Sequence, residues 1–474
     1  MKAKSEKPVQ SAEEAREAPQ YMSVDQRAAQ GRKLRDKVPR ASHAGWSEPR
    51  NRRDPLELLL QSNEGRIPEL VPIRFGRMST SPFAFYRGAA ALMAADLATT
   101  PASGLRVQAC GDAHLMNFGG FATPERNVIF DVNDLDETLP APFEWDLKRL
   151  AASVVIAAEH LMFPNSDTAR IAADVVKEYR ERMFDYAGMR ALDIWYDRID
   201  LRKYSDRAGD PDVVADARKR LAERIETEQR KTVADHLYPK LVSEQGTLPR
   251  IKDDPPLIYH PSLEQAPGLQ SGYTDAIARY RESLPEHVRT LFDRFHFIDL
   301  AVKVVGVGSV GTMCSVCLFL AGDGDPLFLQ VKEARASVLE PYAGKSLHPN
   351  HGQRVIAGQR LMQAASDVFL GWTQGMNGRH FYIRQLRDMK MSAVIEDWDV
   401  GILRQYGRMC AHALARAHAR SGDPAAIAGY MGSGQSFEDA VGEFATEYSQ
   451  QNRKDYRAFL KAIRSGRIEA IVEG

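Results

Sequence analysis

Apolar positions in this chain fall into stretches with different periods. Before about residue 296 they recur mainly at helical spacing, and after about 397 they do so again. From 297 to 390 they gather into short runs of β-branched and aromatic residues, the pattern of strands. In the first stretch FYRGAAALMAADLAT reads as an Ala-rich helix. LKRLAASVVIAAEHLM and residues 168–188 read as two more, the former apolar enough to be buried. LRVQAC and NVIFDVND read as short strands, and 206–235 as a charged surface helix. Pro255, Pro256, Pro261 and Pro267 mark 250–270 as a loop. IDLAVKVVGVGSVGTMCSVCLFLAGDGDPLFLQVKEA then reads as strand, glycine turn, strand, GDGD hairpin, strand. HGQRVIAGQRLMQAAS (351–366) reads as a helix, HFYIRQLRD as a strand, and the remainder as helical.

The period changes set the expected organisation. The 474 residues allow about three units, or one two-lobed enzyme with extensions. We expect an α+β protein with a mobile, locally basic arm over 1–55 and a mainly helical lobe over 56–296. A small β-rich lobe follows over 297–390, then a helical region over 391–474 that packs on the large lobe. With 44% hydrophobic and 27% charged residues, a wholly disordered or collagen-like chain is excluded. Lys plus Arg equals Asp plus Glu at 63 each, which argues against a nucleic-acid partner. No window approaches the roughly 18 apolar residues of a membrane helix, so no membrane partner is expected. MKAKSEKPVQSAEEAREA lacks the apolar core of a secretory leader, and four Cys make no disulfide framework. These features lead us to expect a cytoplasmic protein.

Candidate chemistry sits in three places. The first is Gly111-Asp112-Ala113-His114-Leu115-Met116-Asn117, which follows a strand. An Asp there can accept a proton from an attacking hydroxyl, and an Asn five residues on can ligate a metal through its side-chain oxygen. Asp131, Asp134, Asp136 and Glu137 form an Asp-rich end to the next strand, and such carboxylates suit a hard cation such as Mg²⁺. Either cluster alone also reads as an Asx turn. The second place is Gly306-Val307-Gly308-Ser309-Val310-Gly311, which lies between strands rather than before a helix. That arrangement suits a loop over nucleotide phosphates, or a plain hairpin turn. The third is Lys332 in LFLQVKEA, where Leu327, Leu329 and Val331 share one strand face and Gln330 and Lys332 the other. A half-buried lysine there needs an anionic partner. Arg74, Arg77, Arg87, Arg384 and Arg387 are candidates to neutralise phosphate or the acidic cluster. Cys314 and Cys317 form a CxxC whose members face opposite ways on a strand, and His412 and His418 read as structural.

These pieces resemble the protein-kinase-like superfamily, particularly its aminoglycoside phosphotransferase and choline kinase branch. GDAHLMN is similar to that branch's catalytic loop, G-D-x-H-x-x-N. The resemblance implies Asp112 as catalytic base, Asn117 as an Mg²⁺ ligand and His114 as the loop's His. Trp145-Asp146-Leu147 looks like the family's later Asp-Leu-Ala helix start. Counting back from it makes Asp134 the metal-binding Asp, with Asp131 and Asp136 as rivals. Gly306, Gly308 and Gly311 look like the glycine loop, and Lys332 like the lysine that holds the α- and β-phosphates. ATP and Mg²⁺ are the implied cofactors, with a small-molecule or protein hydroxyl as acceptor of phosphate or, on the same fold, of AMP. A standard kinase has the glycine loop and lysine before the catalytic loop, so the resemblance implies a circularly permuted two-lobed fold. The helix 351–366 carries no Glu for Lys332; Glu340 is the substitute, with Gln353 and Gln359 behind it. From about residue 25 on, the chain also resembles the uncharacterised bacterial family called domain of unknown function 2252. RKLRDKVPRASHAGW, ELVPIRFGRM, SPFAFYRGAA, GDAHLMNFG and LMQAASDVFLGW carry that likeness. The expected function is an ATP- and Mg²⁺-dependent phosphotransferase. The alternatives are a metal-dependent phosphohydrolase, with His348 and His351 as further ligands, and a non-catalytic nucleotide-binding pseudokinase.

Overall fold

The computed structural model describes residues 22–205, 223, 226–227, 237–243, 249–260, 269–304, 306–386, 391 and 393–472. The expected helix over 206–235 lies mostly outside these residues, as do Pro261, Pro267 and Arg387.

The protein is a mixed α+β structure. At its centre is the helix Phe143–His160, buried along almost its whole length, with Glu144, Asp146, Lys148 and Arg149 among its buried residues. It packs against Asn165–Gly188 and against two helices from the far end of the chain, Val400–Ser421 and Ser436–Arg464. Small strands edge this helical body. β1 (Arg106–Ala109) pairs with β4 (Leu139–Pro142), and β2 (Phe118–Ala122) with β3 (Val128–Val132), which also pairs with β5 (Ile199–Asp200). β6 (Val242–Ser243) and β7 (Arg250–Ile251) form a separate pair.

The second layer is an antiparallel sheet containing β8 (Ile258–Tyr259), β9 (His296–Lys303), β10 (Cys314–Leu320), β11 (Pro326–Ala334), β12 (Gly371–Gln374) and β13 (His380–Gln385). Its order is β12-β13-β11-β10-β9-β8. The period-2 pattern of β11 sorts its faces as expected. Leu327 and Leu329 pack with Tyr280, Val288 and Phe292 from the helices Leu269–Ser283 and Glu286–Phe292. Gln330 and Lys332 lie on the other face, opposite Arg384 and Tyr382 of β13. The helix His351–Met362 packs on β11, β12 and β13 and also on Val400–Ser421, so it bridges sheet and helical body.

The structure departs from the sequence pattern in several places. The Ala-rich helix is two helices, Pro82–Gly88 and Ala90–Leu97, because Ala89 leaves the helical region (φ −111°, ψ 33°). β2, β4 and β12 escape the pattern because FGGFA, LPAP and GWTQ hold Gly or Pro where a strand signal needs branched residues. The Pro-rich segment carries the short strands β7 and β8. Residues 22–55 of the expected mobile arm are docked. A Ser23–Gln26 capping box starts the helix Val24–Leu34, which lies against Pro424–Met431. Arg35 and Arg40 then bond the carbonyls of Tyr430 and Met431, both at 2.8 Å.

One buried ion pair ties the layers together. Arg416 and Asp131 are both 0% exposed, and Arg416 Nη2 donates to both Asp131 oxygens at 2.7 Å. Removing only the cation leaves an uncompensated buried charge. Arg416→Met should therefore cost about 3–5 kcal/mol in urea unfolding. The double variant with Asp131→Asn should lose less than the sum of the single changes.

Candidate functional site

The Asp112 loop is built on a turn that only glycine suits. Gly111 has φ +83°, and a Cβ there would overlap the Glu137 carbonyl. Asp146, in the first turn of Phe143–His160, then braces the loop. Its oxygens accept the backbone N–H groups of Cys110 at 2.5 Å and Gly111 at 2.9 Å. His418 Nε2 lies 3.2 Å from Asp146 Oδ2, and its Nδ1 lies 2.7 Å from the Tyr179 hydroxyl. His418 thus links Tyr179 to Asp146 behind the loop.

Asp112 Oδ1 accepts from Arg149 Nε at 2.6 Å, and the Asp112 side chain keeps 17% exposure. Burial raises its pKa, and the Arg149 guanidinium opposes that rise. His114 is buried. Its Nδ1 accepts the Met116 N–H at 3.2 Å, its Nε2 lies 3.7 Å from Asp112, and burial holds its pKa well below the ordinary value. Asn117 Nδ2 donates to the Asp112 carbonyl at 2.8 Å. The Asn117 carbonyl in turn accepts from Asn133 N–H at 2.7 Å, so the loop is stitched to the segment that carries Asp134.

Lys332 meets that segment from the sheet side. Its Nζ donates to Asp136 Oδ2 at 2.8 Å and reaches Asp134 Oδ2 at 3.5 Å. Tyr382, its cross-strand neighbour, donates its hydroxyl to Asp136 Oδ1 at 2.6 Å. Asp134 and Asp136 outweigh burial and hold the Lys332 pKa well above its ordinary value. Burial and the neighbouring Asp134 charge raise the pKa of Asp136, against the pull of Lys332. A cavity of about 330 Å³ opens here, with Gly306, Ser309, Lys332 and Asp134 in its wall. The glycine loop between β9 and β10 is clasped from the N-terminal segment. Arg77 donates to the Gly306 carbonyl at 2.5 Å, Arg66 to Val310 at 2.6 Å, and Ile67 N–H to Gly311 at 2.7 Å.

Other residues singled out by the sequence stand elsewhere. Asp131 is consumed by Arg416 and by the Ala364 N–H, and so is withdrawn from the cleft. Glu340 lies 3.9 Å from His351 and is not the partner of Lys332. Two carboxylates that follow β3 already neutralise the lysine, so a helix glutamate is not needed. Arg74 is buried on Asn63 and the Gly88 carbonyl, both at 2.7 Å. Cys314 and Cys317 are free and buried in β10. Arg149, Tyr382 and the paired roles of Gln330 and Arg384 were missed by pattern reading. The alternation of Tyr382 and Arg384 in HFYIRQ was the available signal for the last of these. Among the described residues no group of three or more His, Cys, Asp or Glu side chains is placed to hold a metal, and no helix is long and apolar enough to cross a membrane.

The fold and this cleft define a two-layer α+β protein with an acidic, lysine-bridged site between its layers. Residues 66–462 match the family described as an uncharacterized protein conserved in bacteria, DUF2252, and the chain belongs to that family. No curated protein and no solved structure matches the chain.

Glu137 gives this site a pH signature. Burial lifts its pKa to about 7, against the pull of Arg354. The folded state therefore holds this proton at pH values where the unfolded chain has lost it. The stabilisation is complete below about 4.5 and lost as pH rises through about 7. Wild-type stability should fall by up to roughly 3 kcal/mol across that window, and Glu137→Gln should flatten that part of the curve in denaturant titrations.

Proposed function

We propose that this protein is an ATP- and Mg²⁺-dependent phosphotransferase with a circularly permuted kinase-like fold. The observation that carries the reading is the Lys332–Asp134 contact. It joins residues 198 apart in sequence, one from the lysine strand and one from the segment after the Asp112 loop, in a cleft that the glycine loop also lines. The order of parts in the sheet supports it. A glycine loop joins β9 to β10, Lys332 lies on β11, and a helix follows before β12 and β13. Kinases place their glycine loop, β3 lysine and αC helix in the same succession. Here the Asp112 loop comes first in the chain, which is the permutation.

The donor set fits a hard cation. Asn117 has its amide nitrogen tied to the Asp112 carbonyl, which leaves its oxygen as the ligating end, and Asp134 is 31% exposed at the cleft. Mg²⁺ uses few protein oxygens and keeps several waters, and when bound it neutralises phosphate charge. Asp136 is the anchor of Lys332 rather than a ligand, because Lys332 and Tyr382 engage its two oxygens. Lys332 and the amides of the Gly306–Gly311 loop position the phosphates. Asp112, its pKa raised by burial, takes the proton from the acceptor hydroxyl, which is a small molecule or a protein side chain. One observation favours a second reading, a nucleotide-binding pseudokinase: Arg149 already engages Asp112.

Calorimetry with ATP tests the proposal. Binding should require Mg²⁺ and be lost in both Lys332→Ala and Asp134→Ala; no binding to folded wild type would sink it. Asp112→Asn should keep ATP affinity but cut turnover by about 10²–10⁴-fold. Unchanged biological activity in that variant would select the pseudokinase instead.

A further inference from the structure

Arg87 is a guanidinium that the fold brings to the Asp112 loop and leaves unpaired. It lies in the last turn of the helix Pro82–Gly88. The residue before it is tied to Asp112: Arg149 Nη2 donates to the Tyr86 carbonyl at 3.1 Å, and Arg149 Nε donates to Asp112 Oδ1 at 2.6 Å. The Arg87 carbonyl lies against the glycine loop, 3.6 Å from where a Cβ at Gly308 would stand. Arg87 therefore sits where the Asp112 loop and the glycine loop meet. Its guanidinium carbon is 5.9 Å from the centre of the Phe83 ring. Nε is buried without a hydrogen bond. Nη1 and Nη2 also have no partner among the described residues, but they are open to solvent.

Neither nearby carboxylate accounts for this charge. Burial lowers the Arg87 pKa, and Asp112 and Glu396 oppose that fall, yet neither forms an ion pair with it among the described residues. Asp112 already has Arg149 as its cation. Arg87 is thus a second positive charge beside one carboxylate, in a partly desolvated place where an unpaired cation is unfavourable. A guanidinium does not shed its proton, so an anion is what completes the site. Its planar fork of donors matches the oxygens of a phosphate group. The Gly308 contact selects which phosphate. Gly306 and Ser309 of the same loop line the cavity with Lys332, whereas Arg87 stands outside that wall on the Asp112 side. In a nucleotide laid along the loop, with Lys332 on the inner phosphates, the terminal phosphate is the one that reaches Arg87.

We propose that Arg87 binds the terminal phosphate of the nucleotide and so selects a nucleoside triphosphate over a diphosphate. The inference rests on the nucleotide reading of the cleft and goes beyond it by giving a recognition role to a residue outside the Lys332–Asp134 cavity. Arg87 Nη1 and Nη2 donate to oxygens of the terminal phosphate, while Lys332 and the loop amides hold the phosphates further in. Arg149 keeps Asp112 to itself, so the two guanidiniums divide carboxylate and phosphate between them.

The test is calorimetric binding, with Mg²⁺, of ADP and of the β,γ-imido analogue of ATP, which resists transfer of its terminal phosphate. The proteins are wild type, Arg87→Met and Arg87→Gln, each checked by thermal unfolding without ligand. The Arg87 side chain makes no hydrogen bond among the described residues, so its removal strands no partner there. Arg87→Gln carries the test if Arg87→Met does not fold. Wild type should bind the triphosphate analogue about tenfold tighter than ADP. In both variants that ratio should shrink to about twofold, with ADP affinity unchanged. An unchanged ratio in a folded variant would overturn the assignment and leave the nucleotide cleft standing. Equal binding of the two nucleotides by wild type would do the same. Binding of neither nucleotide by folded wild type would overturn the nucleotide reading and the assignment with it.

Discussion

The Asp131–Arg416 pair is the constraint on which the cleft depends. Asp131 lies on β3, Arg416 on the helix Val400–Ser421, and both contact the end of the bridging helix. Asp131 accepts the Ala364 N–H at 2.8 Å, and Arg416 donates to the Met362 carbonyl at 2.8 Å. Three segments far apart in sequence are thus locked at one buried point. Such a pair adds little net stability compared with apolar packing, but it penalises every arrangement that separates its members. The consequence is local and useful. Residues 133, 134 and 136 leave β3 immediately after the lock, and Gln363 sits beside Ala364, so both walls of the cavity are referenced to the same bond.

From that lock outward the cleft is organised by alternating charge. Arg149 faces Asp112, and Lys332 faces Asp134 and Asp136. Burial by itself pushes the pKa of these carboxyls up, and the cations resist it. Burial and the facing cations thus act in opposite directions on the same carboxyls. Lys332 and Asp134 both line the cavity, so a cation and a carboxylate face one space. The Asp146–His418–Tyr179 chain keeps the Asp112 loop in register from behind, so Asp112 stands on a rigid support rather than on a free turn.

How far the site was legible depended on whether its parts lay close in sequence. GDAHLMN could be read because a strand, a glycine and spaced Asp and Asn fall within one short run. The face of β11 that carries Lys332 could be read because strand alternation is a local rule. The choice among Asp131, Asp134 and Asp136 could not, since all three cluster at the end of one strand and carry the same charge. Only the partners separate them: Arg416 takes Asp131, Lys332 and Tyr382 take Asp136, and Asp134 stays at the cavity wall. Glu340 was misplaced for the same reason, because composition says which acid is nearby in sequence and not which one reaches the amine.

The sequence by itself determined the α+β class, the buried central helix, the glycine loop between strands and the polar face of the lysine strand. Each follows from short-range periodicity or from the conformational freedom of one residue type, and such rules act within a few positions. Tertiary structure alone decided that the lysine strand closes over the Asp134 segment, that the helix Val24–Leu34 docks on Pro424–Met431, and that Gln359, Gln363 and Arg384 line the same cavity as Lys332. Those outcomes are set by burial and charge pairing between segments far apart in sequence, and no local pattern records which partner a side chain will meet.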